Sequence, residues 1–150
     1  MTPNQWGPPT WTMFHTFIEK IKEDSFKEIG PQLFSHIFRI CGYLPCPDCS
    51  KHATAFLSKV PSKALSTKME MKNTFYVFHN VVNKRKNKPL HNYENMEKYK
   101  SNNIFTCFNN FVSIYHTKGN MKLLTETFQR QLIIADFKKW IEKNHMHFDK

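Results

Sequence analysis

KMEMKNTFYVFHNVVNKRKN, residues 68–87, is the stretch on which the fold turns. Met71, Phe75, Phe78, His79 and Val82 recur three or four apart, which is the spacing of one helix face and not of a strand. Asn83 falls one turn beyond His79 on that face. Asparagine inside a helix costs about half a kcal/mol relative to alanine. Asn80 and Asn83 in so strong a helix therefore suggest a hydrogen-bonding task. Pro89 prevents further extension. The basic run NKRKNKP at 83–89 reads either as solvated surface or as an anion site.

The same periodicity continues in both directions. TWTMFHTFIEKIKE, residues 10–23, starts at a Thr10 cap after two prolines and aligns Trp11, Phe14, Ile18 and Ile21, with His15 beside them. A second helix follows Gly30 and Pro31, carries Leu33, Phe34, Ile37, Phe38 and Cys41, and stops at Gly42. A third starts near Pro47, runs through Ala53, Phe56 and Leu57, and breaks at Pro61. A short fifth helix is expected from Tyr93 to Ser101, capped by Asn92. Residues 101–120 show no helical period, and Gly119 with Asn120 reads as a turn. Residues 121–145 form a long amphipathic helix of about six turns, with Leu124, Phe128, Leu132 and Phe137 to Ile141 on its apolar face. The expected class is all-α: a four-helix bundle with a short fifth helix and a C-terminal extension containing a long helix. The division falls near residue 103, giving a core at 1–103 and an extension at 104–150, packed on the core or at a dimer interface.

The chain has 150 residues, 40% of them apolar and 14 of them phenylalanine. That is enough to bury an aromatic core without help from a metal. The formal net charge of +10 favours anionic partners without choosing among them. No basic leader and no long apolar run appear, so a soluble, unsecreted protein without membrane contact is expected, its cysteines in a reducing solvent.

Against that setting stands PCPDCSKHA, residues 45–53. A CxxC can hold zinc, exchange electrons or fill space. Zinc could draw on Cys46, Cys49 and His52, with Cys41 or His79 as a fourth ligand, but no second pair at finger spacing follows. A redox pair at the start of a helix gains from its dipole and unpaired amides, which favour a thiolate. Such a dithiol needs an electron acceptor, and an organic one needs rings, polar groups and positive charge around it. Trp11, His15, His52, His79, Asn80, Asn83, Lys84 and Lys88 supply these from three helices. No Gly-x-Gly-x-x-Gly occurs, which excludes a Rossmann site. Taken singly, Trp11 reads as core, the histidines as structural and the lysines as solvated. Cys41 and Cys107 read as inert thiols.

Jointly, WGPPTWTMFH at 6–15, PCPDCSKHA at 45–53 and FHNVVNKRKNKP at 78–89 resemble the three motifs of the Erv/ALR family of FAD-dependent sulfhydryl oxidases, over about residues 5–101. The likeness is greatest to compact forms encoded by large DNA viruses. It implies an FAD-binding bundle in which Cys46 exchanges with substrate and Cys49 lies next to the flavin. Cofactor contacts are implied for Gly7, Thr10, Trp11, His15, His52, His79, Asn80 and Asn83, phosphate contacts for Lys84 and Lys88, and adenine contacts for Tyr93 or Tyr99. It also implies a homodimer acting on thiol-containing proteins or a thioredoxin-like relay protein, with O2 as acceptor and H2O2 as product, in the host cytoplasm, virus factory or virion. Neither a metal nor nucleic acid is expected. Lys86 and Asn87 depart from the pattern, where members often carry Leu followed by Gly or a polar residue. The alternatives are a zinc-stabilised nucleic-acid-binding module and an inactive scaffold with the same fold.

Overall fold

The computed structural model describes residues 3–115 and 124–150, and the side chain of Leu124 lies outside that description. Among the described residues six α-helices carry the architecture: α1 Pro3–Lys20, α2 Phe26–Cys41, α3 Pro47–Ser58, α4 Lys68–Arg85, α5 Ile104–Tyr115 and α6 Leu124–Asn144. A 3₁₀ segment, Tyr93–Ser101, lies between α4 and α5. The all-α class and the bundle hold. No helix among the described residues is long and apolar enough to cross a membrane.

Three element boundaries differ from expectation, each for a local reason. Helix α1 begins at Pro3 rather than Thr10 and keeps Pro8 and Pro9 within it. Thr10 is no cap: its hydroxyl donates back to the Trp6 carbonyl at 2.6 Å. Each proline removes only one early backbone bond, and burial of Trp6 in the core offsets that loss. Helix α2 likewise begins before Pro31, at Phe26. Residues 104–115, expected to be irregular, form α5. Asn103 caps it by accepting from the amides of Phe105 and Thr106 at 2.9 and 3.1 Å. Its stripe of Ile104, Cys107, Phe108, Phe111 and Tyr115 packs into the core, chiefly against α1. The expected turn at Gly119 and Asn120 lies outside the described residues.

Helix α6 buries only the C-terminal part of the face expected, Phe137 and Ile141, and adds Ile133 to it. Ile133, Phe137 and Ile141 are buried, whereas Phe128 and Leu132 are 58% and 41% exposed. The Phe137 ring meets Phe17 of α1 at 5.4 Å and Phe108 of α5 at 5.7 Å. Arg39 pairs with Asp136, and Trp140 donates to Gln32, both tying α6 to α2. The chain then returns to the end of α1. Phe148 bridges Ile21, and Lys22 donates to the His147 carbonyl at 2.8 Å. A buried pair, Lys72 with Glu19 at 2.9 Å, joins α4 to α1.

Gly30 is required where it stands. A Cβ there would lie 2.5 Å from the ring of Phe26, one turn earlier and itself buried. Gly30→Ala is expected to destabilise the fold by about 1–3 kcal/mol through overpacking. Denaturant titration reads this directly. An unchanged midpoint would mean that the ring turns aside without penalty.

Candidate active site

Helix α3 starts at Pro47, and Cys46 is its N-cap residue. Cys46 and Cys49 form a disulfide across this first turn, with Cα atoms 5.2 Å apart. The Cys49 amide donates to Cys46 Sγ at 3.2 Å, so one of the unpaired amides of the helix start is aimed at a sulfur. Asp48 and Pro47 face solvent, Cys46 is half-buried and Cys49 is buried. The two sulfurs are thus unequal in access.

Cys49 lines a cavity of about 370 Å³ at the end of the bundle. The N-terminal half of α1 contributes Trp6, Gly7, Thr10 and Trp11 to its wall. The far end of α4 contributes Phe78, His79, Val82 and Asn83, and the following turn adds Lys86 and Lys88. His91, Lys98 and Tyr99 close the third side. Trp11 and His79 stack in parallel with centroids 4.1 Å apart, and Phe78 meets Trp11 edge-on at 4.9 Å. Apolar rings therefore form the floor, with a rim carrying Arg85, Lys86, Lys88 and Lys98.

The histidines behind this wall are kept neutral. His15 Nε2 lies 2.9 Å from His79 Nδ1, and the His15 ring stacks on Tyr99 at 4.8 Å. Burial, then His91, Lys98 and Lys88, push the His79 pKa down to about 3. Burial and the same positive surroundings hold His15 well below the ordinary histidine range. His15 Nδ1 is buried without a hydrogen-bond partner among the described residues. An orphaned acceptor costs less than an orphaned N–H, so His15 donates through Nε2 and leaves His79 with Nε2–H as a donor.

Neutrality in the fold has a measurable pH dependence. The unfolded chain takes up protons below about pH 6.5 that folded His15 and His79 do not hold. Stability is therefore complete above that value and falls as pH drops from about 6.5 toward about 3. The melting temperature should be flat above neutrality and decline below it, and His79→Gln should make the decline shallower. Parallel curves for the two proteins would exclude His79 as a source.

The cavity collects Gly7, Thr10, Trp11, His79, Asn83, Lys88 and Cys49 from the motif-bearing segments and Tyr99 from the 3₁₀ segment. His15 sits one layer behind it. Asn80 instead clamps the His91 backbone, donating to its carbonyl at 3.1 Å and accepting from its amide at 2.8 Å. His52 is exposed beside Asp48 at 3.7 Å, Lys84 is exposed, and Tyr93 packs on Tyr76 away from the cavity. Among the described residues no three His, Cys, Asp or Glu side chains gather as a metal site. The candidate contacts omitted Lys86, His91 and Lys98: Lys86 extends the His79 and Val82 row by one helical turn and lies within the basic run, so periodicity reaches it, whereas His91 and Lys98 follow the helix end. Cys41 is a buried free thiol at the cavity wall, its pKa raised by burial. Cys107 is also free and buried, on α5.

Known proteins resemble the chain in sequence. The chain is 31% identical over 94 residues to a protein of Invertebrate iridescent virus 6 named as an FAD-linked sulfhydryl oxidase, 347L, covering 59% of this chain and 85% of that one. It is 29% identical over 85 residues to the FAD-linked sulfhydryl oxidase of African swine fever virus (isolate Tick/Malawi/Lil 20-1/1983), covering 57% and 71% respectively. A 59-residue stretch is 32% identical to a Fowlpox virus protein carrying the same name, covering 39% and 57%. No solved structure matches the chain. The family model described as Erv1 / Alr matches residues 8–102, and the chain belongs to that family.

Proposed function

We propose that this protein is an FAD-linked sulfhydryl oxidase that takes two electrons from protein dithiols at the Cys46–Cys49 pair. The observation that carries the reading is the asymmetry of that pair. Cys46 caps a helix at the surface, and Cys49 forms part of a ring-lined cavity wall. Bound FAD would supply the two-electron acceptor and the route to O2, giving H2O2.

The residues present fit such a group. Trp6 lines the cavity, and its buried Nε1 has no partner among the described residues, a donor left open for an acceptor that a ligand would bring. A Cβ on Gly7 would meet nothing within 4 Å, leaving room for a ligand ring at that wall. Trp11, His79, Asn83 and Tyr99 would hold the ring systems, and Lys88 with its basic neighbours would hold the phosphates. Thr10 lines the wall beside them with its hydroxyl held by the Trp6 carbonyl, while His15 and Asn80 fix His79 and His91. His52, Lys84 and Tyr93 stand outside this set.

The chain itself performs the exchange. A substrate thiolate attacks Cys46 Sγ, a mixed disulfide forms, and the electron pair of the broken bond goes to Cys49. A second substrate thiol then releases Cys46 and leaves as part of a disulfide. The viral relatives favour a host cytoplasm, virus factory or virion setting and thiol-bearing proteins, or a thioredoxin-like relay protein, as donors. A homodimer, and a core at 1–103 bearing 104–150 as an extension, belong to the same proposal.

The test is a visible spectrum of the purified protein before and after dithiothreitol in air, with peroxide detection. A flavin band near ~450 nm that bleaches with thiol and returns as peroxide forms is expected. A colourless protein that refuses added FAD would overturn the reading.

A further inference from the structure

We propose that Lys86 is a catalytic residue of the exchange, its ammonium receiving the negative charge that develops on Cys49 and so making Cys49 the leaving sulfur when substrate attacks Cys46. The inference rests on the thiol-oxidase reading above and assigns a role within the same site.

The two sulfurs have different partners. Cys46 Sγ accepts from the Cys49 amide at the helix start, which favours charge on Cys46. Cys49 Sγ instead has Lys86 Nζ at 3.6 Å, half-buried at the cavity wall. The chain is shaped to put it there. Lys86 is the C-cap of α4, and Asn87 turns the backbone with φ 56°, a left-handed conformation that asparagine tolerates. The Lys88 amide then returns to the Asn83 carbonyl at 2.8 Å, fixing the turn. Lys86, whose amide still donates to the Val82 carbonyl at 3.0 Å, shares the cavity face of α4 with Val82 and His79, and the turn after it brings Lys88 to the same cavity.

Other charges face the same place. Arg85 and Lys88 flank Lys86 from its own segment, and with burial, the largest cause, they hold its pKa below the ordinary lysine range. Asp48 on α3 opposes them but is shared with Arg85 at 3.3 Å and His52 at 3.7 Å. His91 and Lys98 lie across the cavity. A crowded, partly desolvated ammonium without a close carboxylate gains most from a new anion, and the nearest sulfur able to become one is Cys49.

The electron count is that of ordinary exchange. The substrate S–Cys46 bond forms, the Cys46–Cys49 bond breaks, and the pair remains on Cys49 as thiolate beside Lys86. A leaving thiol of lower pKa leaves faster, and a stabilised thiolate makes the disulfide more oxidising.

The experiment uses the full chain with Cys46→Ser as background, following the pH dependence of Cys49 alkylation by mass spectrometry. Flavin content is recorded in parallel, so loss of the cofactor reading is seen separately. Lys86→Leu is expected to raise the Cys49 pKa by about one pH unit, and Lys86→Arg to restore most of it. As a second readout, the intact pair equilibrated with glutathione should become about tenfold harder to reduce in Lys86→Leu, about 30 mV for two electrons. Leucine is common at this place in the family the sequence resembles, so the variant should fold. An unchanged Cys49 pKa, or an unchanged glutathione equilibrium where Cys49 resists alkylation, would overturn the proposal.

Discussion

Cys49→Ser is expected to lower oxidation of a protein dithiol by at least about 10³-fold while the purified protein keeps its flavin colour. The variant still presents Cys46 at the start of α3, but it has no second sulfur with which to form the disulfide that substrate attacks. Serine fills nearly the same volume at the cavity wall, whose rings and cations come from α1, α4 and the 3₁₀ segment, so cofactor retention should not depend on Cys49. Cys46→Ser should be equally inactive on protein substrate for a different reason, the loss of the accessible sulfur. Mass spectrometry after a bulky maleimide separates the two roles. In the reduced wild-type protein, half-buried Cys46 should be labelled ahead of buried Cys49. Full activity in Cys49→Ser would move electron entry away from this pair, and Cys41 could not replace it, since burial raises its thiol pKa far above the reactive range.

Helix α4 was readable because local and tertiary signals agree in it. Its buried side chains Met71, Phe75, Phe78, His79 and Asn83 repeat at helical spacing, and Thr67 caps it by accepting from the Glu70 amide. The CxxC also lay where proline chemistry put it, at the first turn of α3. Helix α5 was hidden because its Asn, Thr, Val and aromatic residues have modest helix propensity, and its stability comes from packing on α1. The face of α6 could not be chosen from sequence. The expected row runs through Phe128 and Leu132 into Phe137 and Ile141, and only packing on α1, α2 and α5 turns Ile133, Phe137 and Ile141 inward and leaves Phe128 and Leu132 exposed. At the site, single-residue steps decide direction. Asn80 and Lys84 follow His79 and Asn83, and each step turns a side chain by about 100°, away from the cavity and toward His91 or solvent. His91 depends on a left-handed turn at Asn87, to which no periodicity extends, whereas Lys86 still continues the His79 and Val82 row through its amide bond to the Val82 carbonyl.

Removing residues 104–150 is expected to abolish stable folding, although the family match ends at residue 102. Ile104, Phe108, Phe111, Tyr115, Ile133, Phe137, Ile141 and Phe148 belong to the same contiguous core as Phe17, Ile21, Ile37 and Ile40. Burying one such side chain stabilises a protein by about 1.5–3 kcal/mol. Several together exceed the about 5–15 kcal/mol by which a domain is normally stable. The deletion would also uncover α1 along the face that α5 covers and leave Phe17 without Phe137 and Phe148. It would remove Arg130, buried at 1% exposure over the Tyr115 ring, and the Tyr115 hydroxyl that donates to the Ile40 carbonyl at the end of α2. Phe137→Ala probes the same dependence without truncation and should cost about 3–5 kcal/mol. Circular dichroism and size-exclusion chromatography of the 1–103 chain read the result. An aggregated or unfolded product means that α5 and α6 complete the core that α1 and α2 begin. A monodisperse, cooperatively melting one would mean that the bundle repacks around α1 by itself, and that the extension serves another task.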